Sequence, residues 1–204
     1  AGGRVSAIVV PDAVVASLAE VCVPQLADGC LIDVLDDSGQ LQEVASVALD
    51  DQSLADVREL RRRRAELGGA NGVYSEARVA GRRESVLLEE MDDALFQRAA
   101  VDEEHLALFR RFDARSSMVV PMVARGRVIG VLSLLINRTA RRYDAAQLAL
   151  VEEVAARAAL ALENGRLFAS RHRVARSLQA APLPPALPEV GCPDPAPRSR
   201  GAPA

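Results

Sequence analysis

The chain has no tryptophan and no lysine, and aromatic residues make up only 3% of its 204 positions. A surface that stacks nucleic-acid bases needs aromatics among its cations, and a P-loop needs a lysine. Neither can be assembled here. Every basic residue is arginine, and Ala, Gly and Pro are abundant, which reads as the coding bias of a GC-rich genome. Cysteine is scarce too: Cys22, Cys30 and Cys192. The number is odd, and none stands in a CxxC pair or at a zinc-ligand spacing from a histidine. That argues against a disulfide framework and a structural zinc, and a reducing cytoplasm is the expected compartment. No apolar run reaches bilayer length, and no secretory signal opens the chain. A net charge of −3 gives no global attraction to nucleic acid or an anionic membrane.

What is present is aliphatic. Half of the residues are hydrophobic, so the core must be built from Val, Leu, Ile and Ala. The densest stretch is Ser116–Ile136, where the runs Met118–Val123 and Val128–Ile136 flank Ala124-Arg125-Gly126-Arg127. Two strand-length apolar runs around a glycine-bearing polar insert predict a buried antiparallel hairpin. Pro121 cannot donate to a ladder, which places it at an edge or a bulge. Gly130 marks a close backbone approach or a second bulge.

Around this hairpin, Val15, Leu18, Ala19, Cys22 and Leu26 predict a helix from Asp12, shortened near Pro24. Cys30–Asp36 and Leu41–Leu49 read as strands joined by the Asp37-Ser38-Gly39 turn. Helices are expected over Asp50–Leu67, Val73–Ala80 (closed by Gly81), Asp92–Ala100 and Asp102–Phe112, with a short strand at Ser85–Leu88. Asp144 and Gln147 are spaced as a capping box that opens the longest helix. Its residues Leu148, Val151, Ala155, Ala158 and Leu162 form one apolar stripe. Leu160, Leu167, Val174 and Leu178 form another, about 120° away at ~100° per residue. One stripe can cover a sheet; the other calls for a second partner, most simply the same helix of a second chain. After Ala181 the chain is rich in Pro, Ala and Gly and is expected to be disordered. The division is a leader at 1–11, a folded domain at 12–164, a linker helix at 165–181 and a tail at 182–204. The fold class is α+β: a three-layer sandwich with the first and last helices on one face of an antiparallel sheet and the middle helices on the other.

Chemistry-bearing residues are sparse. The run Arg61-Arg62-Arg63-Arg64 invites an anion-binding reading, yet Asp56, Glu59 and Glu66 are interleaved, which favours a solvated helix face. Gly68–Gly72 lacks the pattern of a phosphate cradle. His105, just inside an acidic helix start, reads as a solvated or capping residue rather than a haem or metal ligand. His172 is followed by Arg173, where a phospho-accepting histidine is usually followed by an acid. Cys22 and Cys30 read as small core hydrophobes rather than a redox pair. No Ser/His/Asp set or carboxylate pair assembles.

Three segments carry a family resemblance: LADGCLIDVLDDSGQL at Leu26–Leu41, DEEHLALFRRFDARSSMVVPMVARGRVIGVLSLL at Asp102–Leu135, and RRYDAAQLALVEEVAARAALALENGRLF at Arg141–Phe168. Their order and wording resemble a GAF domain of actinobacterial signalling proteins. The stretch from Arg173 through Leu178-Gln179 to Leu183-Pro184-Pro185-Ala186-Leu187-Pro188 is similar to the linker that leads into SpoIIE/RsbU-like, PP2C-type serine phosphatases. That similarity stops near Val190, so the chain is expected to be truncated or out of frame before the phosphatase. The resemblance implies a non-catalytic sensory module with a small-ligand pocket between sheet and middle helices. Tyr74, Ser117 and Ser133 are the candidate polar groups of that pocket. It implies a homodimer that signals to a phosphatase output domain through the helix bearing Leu160, Leu167, Val174 and Leu178. Nucleic acid and membrane are not expected as partners. No cofactor is named: the cyclic-nucleotide signature needs a lysine, and no cysteine lies in the middle segment where bilins attach. The rivals are a redox enzyme using Cys22 or Cys30 and a dimerisation module without a ligand.

Overall fold

A computed structural model describes residues 12–66 and 75–179, with side chains over 15–66 and 75–168. Its five strands are β1 (Gly29–Leu35), β2 (Leu41–Ala48), β3 (Val86–Leu88), β4 (Ser116–Ala124) and β5 (Arg127–Ile136). They form one antiparallel sheet in the order β2-β1-β5-β4-β3. Its six helices are α1 (Asp12–Cys22), α2 (Asp51–Glu66), α3 (Glu76–Arg82), α4 (Asp93–Ala99), α5 (Glu103–Phe112) and α6 (Ala145–Gln179).

The central hairpin is the one expected. Arg125 and Gly126 make its two-residue turn, both at positive φ (48° and 75°), as a tight hairpin with right-handed strand twist requires. Pro121 pairs with Val131 on β5, while β3 reaches only from Ser117 to Val119 on the other side of β4. The missing amide of Pro121 therefore falls where the neighbouring strand has ended. A bulge follows at Met122/Val123. Gly130 lies opposite Val34; a Cβ there would stand 2.2 Å from the Asp33 carbonyl oxygen and 2.5 Å from Met122 Cε. Both readings of Gly130 hold: the backbone approaches closely, and the bulge falls at its own pair, Ile129 being left without a partner between Gly130 and Val128.

Alternation along the strands separates two cores. Cys30, Ile32, Met118, Val120, Leu132 and Leu134 face α1 and α6 and pack with Val15, Ala19, Val151, Ala155 and Leu162. Leu31 faces the other way, into Val57, Leu60, Leu95, Phe96 and Phe112 of the middle helices. The sheet-facing stripe of α6 is as expected, with Val151, Ala155, Ala158 and Leu162 all buried.

Helix starts are set by side-chain oxygens that accept otherwise unpaired amides. Asp92 accepts from Leu95 N–H at 2.7 Å and Asp102 from His105 N–H at 2.8 Å. Asp144 and Gln147 exchange reciprocal bonds at α6. One expected helix shifts. Gly81 does not close α3 but lies within it. Ser75 caps its start by accepting from Arg78 N–H, and Arg83 ends it in the left-handed region, its amide bonded to the Val79 carbonyl. The leader, Tyr74, the linker-like prolines, Cys192 and the tail lie outside the described residues.

Candidate functional site

Between the sheet and α2–α5 lies a cavity of about 360 Å³, at the small end of the range for ligand pockets. Its floor is two rows of the sheet. Leu31, Ser133 and Val119 stand in register across β1, β5 and β4; Leu135, Ser117 and Leu88 form the next row across β5, β4 and β3. Val57 and Leu60 of α2, Leu95 of α4, and His105, Phe109 and Phe112 of α5 make its walls.

His105 is fully buried, contrary to the solvated placement expected from its acidic surroundings. The reason is local. Asp102 does the capping, taking the His105 amide, and the imidazole turns inward against Phe109 with ring centroids 4.8 Å apart. The His105, Phe109, Phe112 spacing of four and three residues is the helical signature of one face, and it was the available clue. Nδ1 accepts from Val101 N–H at 3.2 Å. With Nδ1 accepting, the neutral ring carries its hydrogen on Nε2. Burial lowers the pKa of the ring, and the Leu60 carbonyl, near the ring but out of hydrogen-bonding geometry, opposes that. That Nε2 is buried without a hydrogen-bond partner, and so is Ser133 Oγ. A donor and a hydroxyl left unpaired on an apolar cavity are costly unless something occupies it.

Of the arginine run only Arg62 lies on a solvated face; Arg61, Arg63 and Arg64 are partly buried. Arg61 meets Asp33 at 2.7 Å, Glu43 at 3.0 Å and Glu76 at 3.7 Å. Arg62 pairs with Glu59 and Glu66, Arg63 with Asp102 and Glu104, and Arg64 with Glu76. The cations tie α2 to β1, β2, α3 and α5, and every one is engaged by carboxylates of its own chain. Burial raises the pKa of Asp33 despite Arg61, and its Oδ2 has no partner. Burial works against the charge of Glu76 as well, but Arg64 and Arg61 more than offset it and hold the pKa down.

The GAF domain family model matches residues 11–162. The chain belongs to the GAF domain family. Members serve as sensory and regulatory modules of signalling proteins, a role that is not catalytic. Solved structures agree in fold. A domain assigned to a two-component sensor histidine kinase of Sinorhizobium meliloti superposes with a TM-score of 0.55 at 17% identity, covering 80% of this chain and 97% of that one. A GAF/HD domain protein of Geobacter sulfurreducens gives 0.53 at 19%, covering 76% and 94%. A GAF domain of Synechocystis in its photoproduct state gives 0.52 at 17%, covering 78% and 96%. No curated protein matches the chain.

Within this GAF domain, Ser117 and Ser133 both line the cavity; Tyr74 lies outside the described residues. Cys22 and Cys30 are fully buried in the opposite core, beneath α1 and α6. The hydrogen bond with Cys22, together with burial, pushes the Cys30 thiol above its ordinary value. On α6, Leu160 and Leu167 are 45% and 42% exposed, as an apolar face not used by the domain requires; the side chains of Val174 and Leu178 are not described. Among the described residues there is no cluster able to hold a metal ion, and no helix is long and apolar enough to cross a membrane.

Proposed function

We propose that the chain is the sensor of a signalling protein, in which occupancy of the cavity is relayed through α6 to a phosphatase-type output domain. The observation that carries this is the double use of β4 and β5. Ser117, Val119, Ser133 and Leu135 face the cavity, while their neighbours Met118, Val120, Leu132 and Leu134 pack on the α1/α6 side. A molecule that displaces the floor moves backbone whose other side chains are embedded under α6, and packed cores respond to such shifts by repacking. The helix runs 35 residues, about 52 Å at 1.5 Å per residue, and extends past the matched domain.

The output belongs to this reading through the linker-like sequence after Arg173, which resembles the approach to SpoIIE/RsbU-like phosphatases. The domain would span 12–164, with 165–181 as the connecting helix. Two copies would pair through Leu160, Leu167, Val174 and Leu178, so that a change in register at one end of the helix alters pairing at the other. A purely structural dimerisation module would have no use for a cavity with two unpaired polar atoms. Native mass spectrometry of the freshly purified chain tests the reading. A retained small molecule, displaced when Ser133→Leu fills the floor, is the expected result. An empty wild-type protein whose α6 contacts and mass stay unchanged across a metabolite library would overturn it.

A further inference from the structure

The sensor reading leaves the ligand unnamed; resting on that reading, we infer that the cavity takes a neutral, mostly apolar molecule whose carbonyl-type oxygen accepts a hydrogen bond from His105 Nε2. Three observations converge. The first is direction. His105 Nδ1 is used as an acceptor by the Val101 amide, so the ring offers Nε2–H, a fully buried donor that makes no hydrogen bond, the nearby Leu60 carbonyl lying out of hydrogen-bonding geometry. A ligand that answered it with a donor, such as an ammonium, would leave both groups unpaired.

The second is charge. Arg61, Arg64 and Arg98 border the cavity and suggest an anion at first sight. Yet Arg61 and Arg64 together face three carboxylates, Asp33, Glu43 and Glu76, and Glu76 itself lines the cavity. That corner has no positive charge to spare, and a ligand carboxylate would meet a like charge. Arg98 is exposed, at the solvent side, where water screens it. The third is the remaining lining. Leu31, Leu95, Val119, Leu135, Phe109 and Phe112 offer only apolar contact. Beside them stand Ser75, whose hydroxyl takes the Arg78 amide, and the floor serines Ser117 and Ser133, of which Ser133 Oγ has no partner and can take one further polar atom.

The test is a matched series on the intact chain: acetophenone, ethylbenzene, benzoate and benzylamine, titrated by ligand-observed NMR or calorimetry. Acetophenone should bind roughly tenfold more tightly than ethylbenzene, because only the ketone satisfies the donor. Benzoate and benzylamine should bind more weakly than the ketone. His105→Phe should erase the ketone's advantage. It also strands the Val101 amide, so Ser133→Leu, which breaks no hydrogen bond, serves as the second variant and should abolish binding of every probe. Equal binding of ethylbenzene and acetophenone overturns the donor role while leaving the sensor reading intact. Tightest binding by benzoate overturns neutrality. Undiminished binding to Ser133→Leu places the probes elsewhere and overturns the assignment. Failure of the whole series together with an empty native mass spectrum would overturn the sensor reading too.

Discussion

Asp28 Oδ2 accepts the Thr139 amide at 2.7 Å, across 111 residues of chain. The same carboxylate takes the amides of Asn137 and Arg138, the Thr139 hydroxyl and the Arg141 guanidinium, and it is fully buried. One residue before β1 thus fixes the loop that launches α6. Burial opposes its charge, but the Thr139 amide, Arg141 and the Arg138 amide outweigh that and lower its pKa. A carboxylate with a depressed folded pKa stabilises the fold above its unfolded value, about 3.9, and the contribution fades as pH falls through the folded pKa. Asp28→Asn should cost about 3–5 kcal/mol in urea unfolding at pH 7, as for other broken buried pairs. Its deficit against wild type should shrink on acidification.

Asp33 should behave with the opposite sign. Its pKa is raised, first by burial, so its folded form favours the proton. Whatever it contributes is present below the unfolded pKa and is lost as pH rises through the folded one. Asp33→Asn has no proton to lose and keeps an oxygen for Arg61. The stability difference, variant minus wild type, should therefore grow from pH 4 towards pH 7 in unfolding titrations. A flat difference would show that Arg61 fully compensates the burial.

These two aspartates mark what the sequence could and could not reveal. The hairpin, both helix-start aspartates of α4 and α5, the capping box of α6 and the place of Pro121 were legible because they rest on spacing within a few residues. Ser117 and Ser133 were legible as polar breaks in apolar strands. The partners of Arg61 and Arg63 lie 28 and 39 residues away, in Asp33 and Asp102, and no local pattern announces them. A solvated arginine face and a half-buried ionic lattice look alike in one dimension. His105 misleads for the converse reason: its acidic neighbours suggest a solvated helix start, while its register with Phe109 and Phe112 puts it on the buried face.

Gly130 and Gly29 should part company on substitution. A Cβ at Gly130 collides with the Asp33 carbonyl and Val34 Cα, which are backbone and cannot swing aside. Gly130→Ala should cost about 3 kcal/mol or more, the upper end for overpacking, since β5 must part from β1. A Cβ at Gly29 meets nothing closer than Leu135 Cβ at 3.8 Å. Gly29→Ala should be neutral, or stabilising by up to about 1 kcal/mol through the unfolded chain. Denaturant midpoints measured side by side decide it.

The thiols of the sheet–α1 core should be silent. Cys22 and Cys30 have no exposed surface; the hydrogen bond between them pushes the Cys30 thiol up and the Cys22 thiol down, so it is burial that keeps reagent from both. In a Cys192→Ser background, Ellman's reagent should find no reactive thiol in the native protein and both in denaturant. A native thiol that reacts within minutes would revive the redox alternative.

The free face of α6 sets the last expectation. Leu160 and Leu167 lie seven residues apart, so they stack on one side of the helix, about 10 Å apart along its axis. Both are close to half exposed, while the adjoining stripe of Val151, Ala155 and Leu162 is spent on the sheet. Burying each leucine against its counterpart in a second copy is worth about 1.5–3 kcal/mol at most, so several such contacts are needed to hold a dimer, which is where Val174 and Leu178 enter. Light scattering should give the mass of two chains for the wild type and of one for Leu160→Glu/Leu167→Glu. Because neither leucine belongs to the domain core, the unfolding free energy of the domain should change by only about 0.5 kcal/mol. A wild type that stays monomeric at high concentration would remove dimerisation from the relay and leave the helix to act within a single chain.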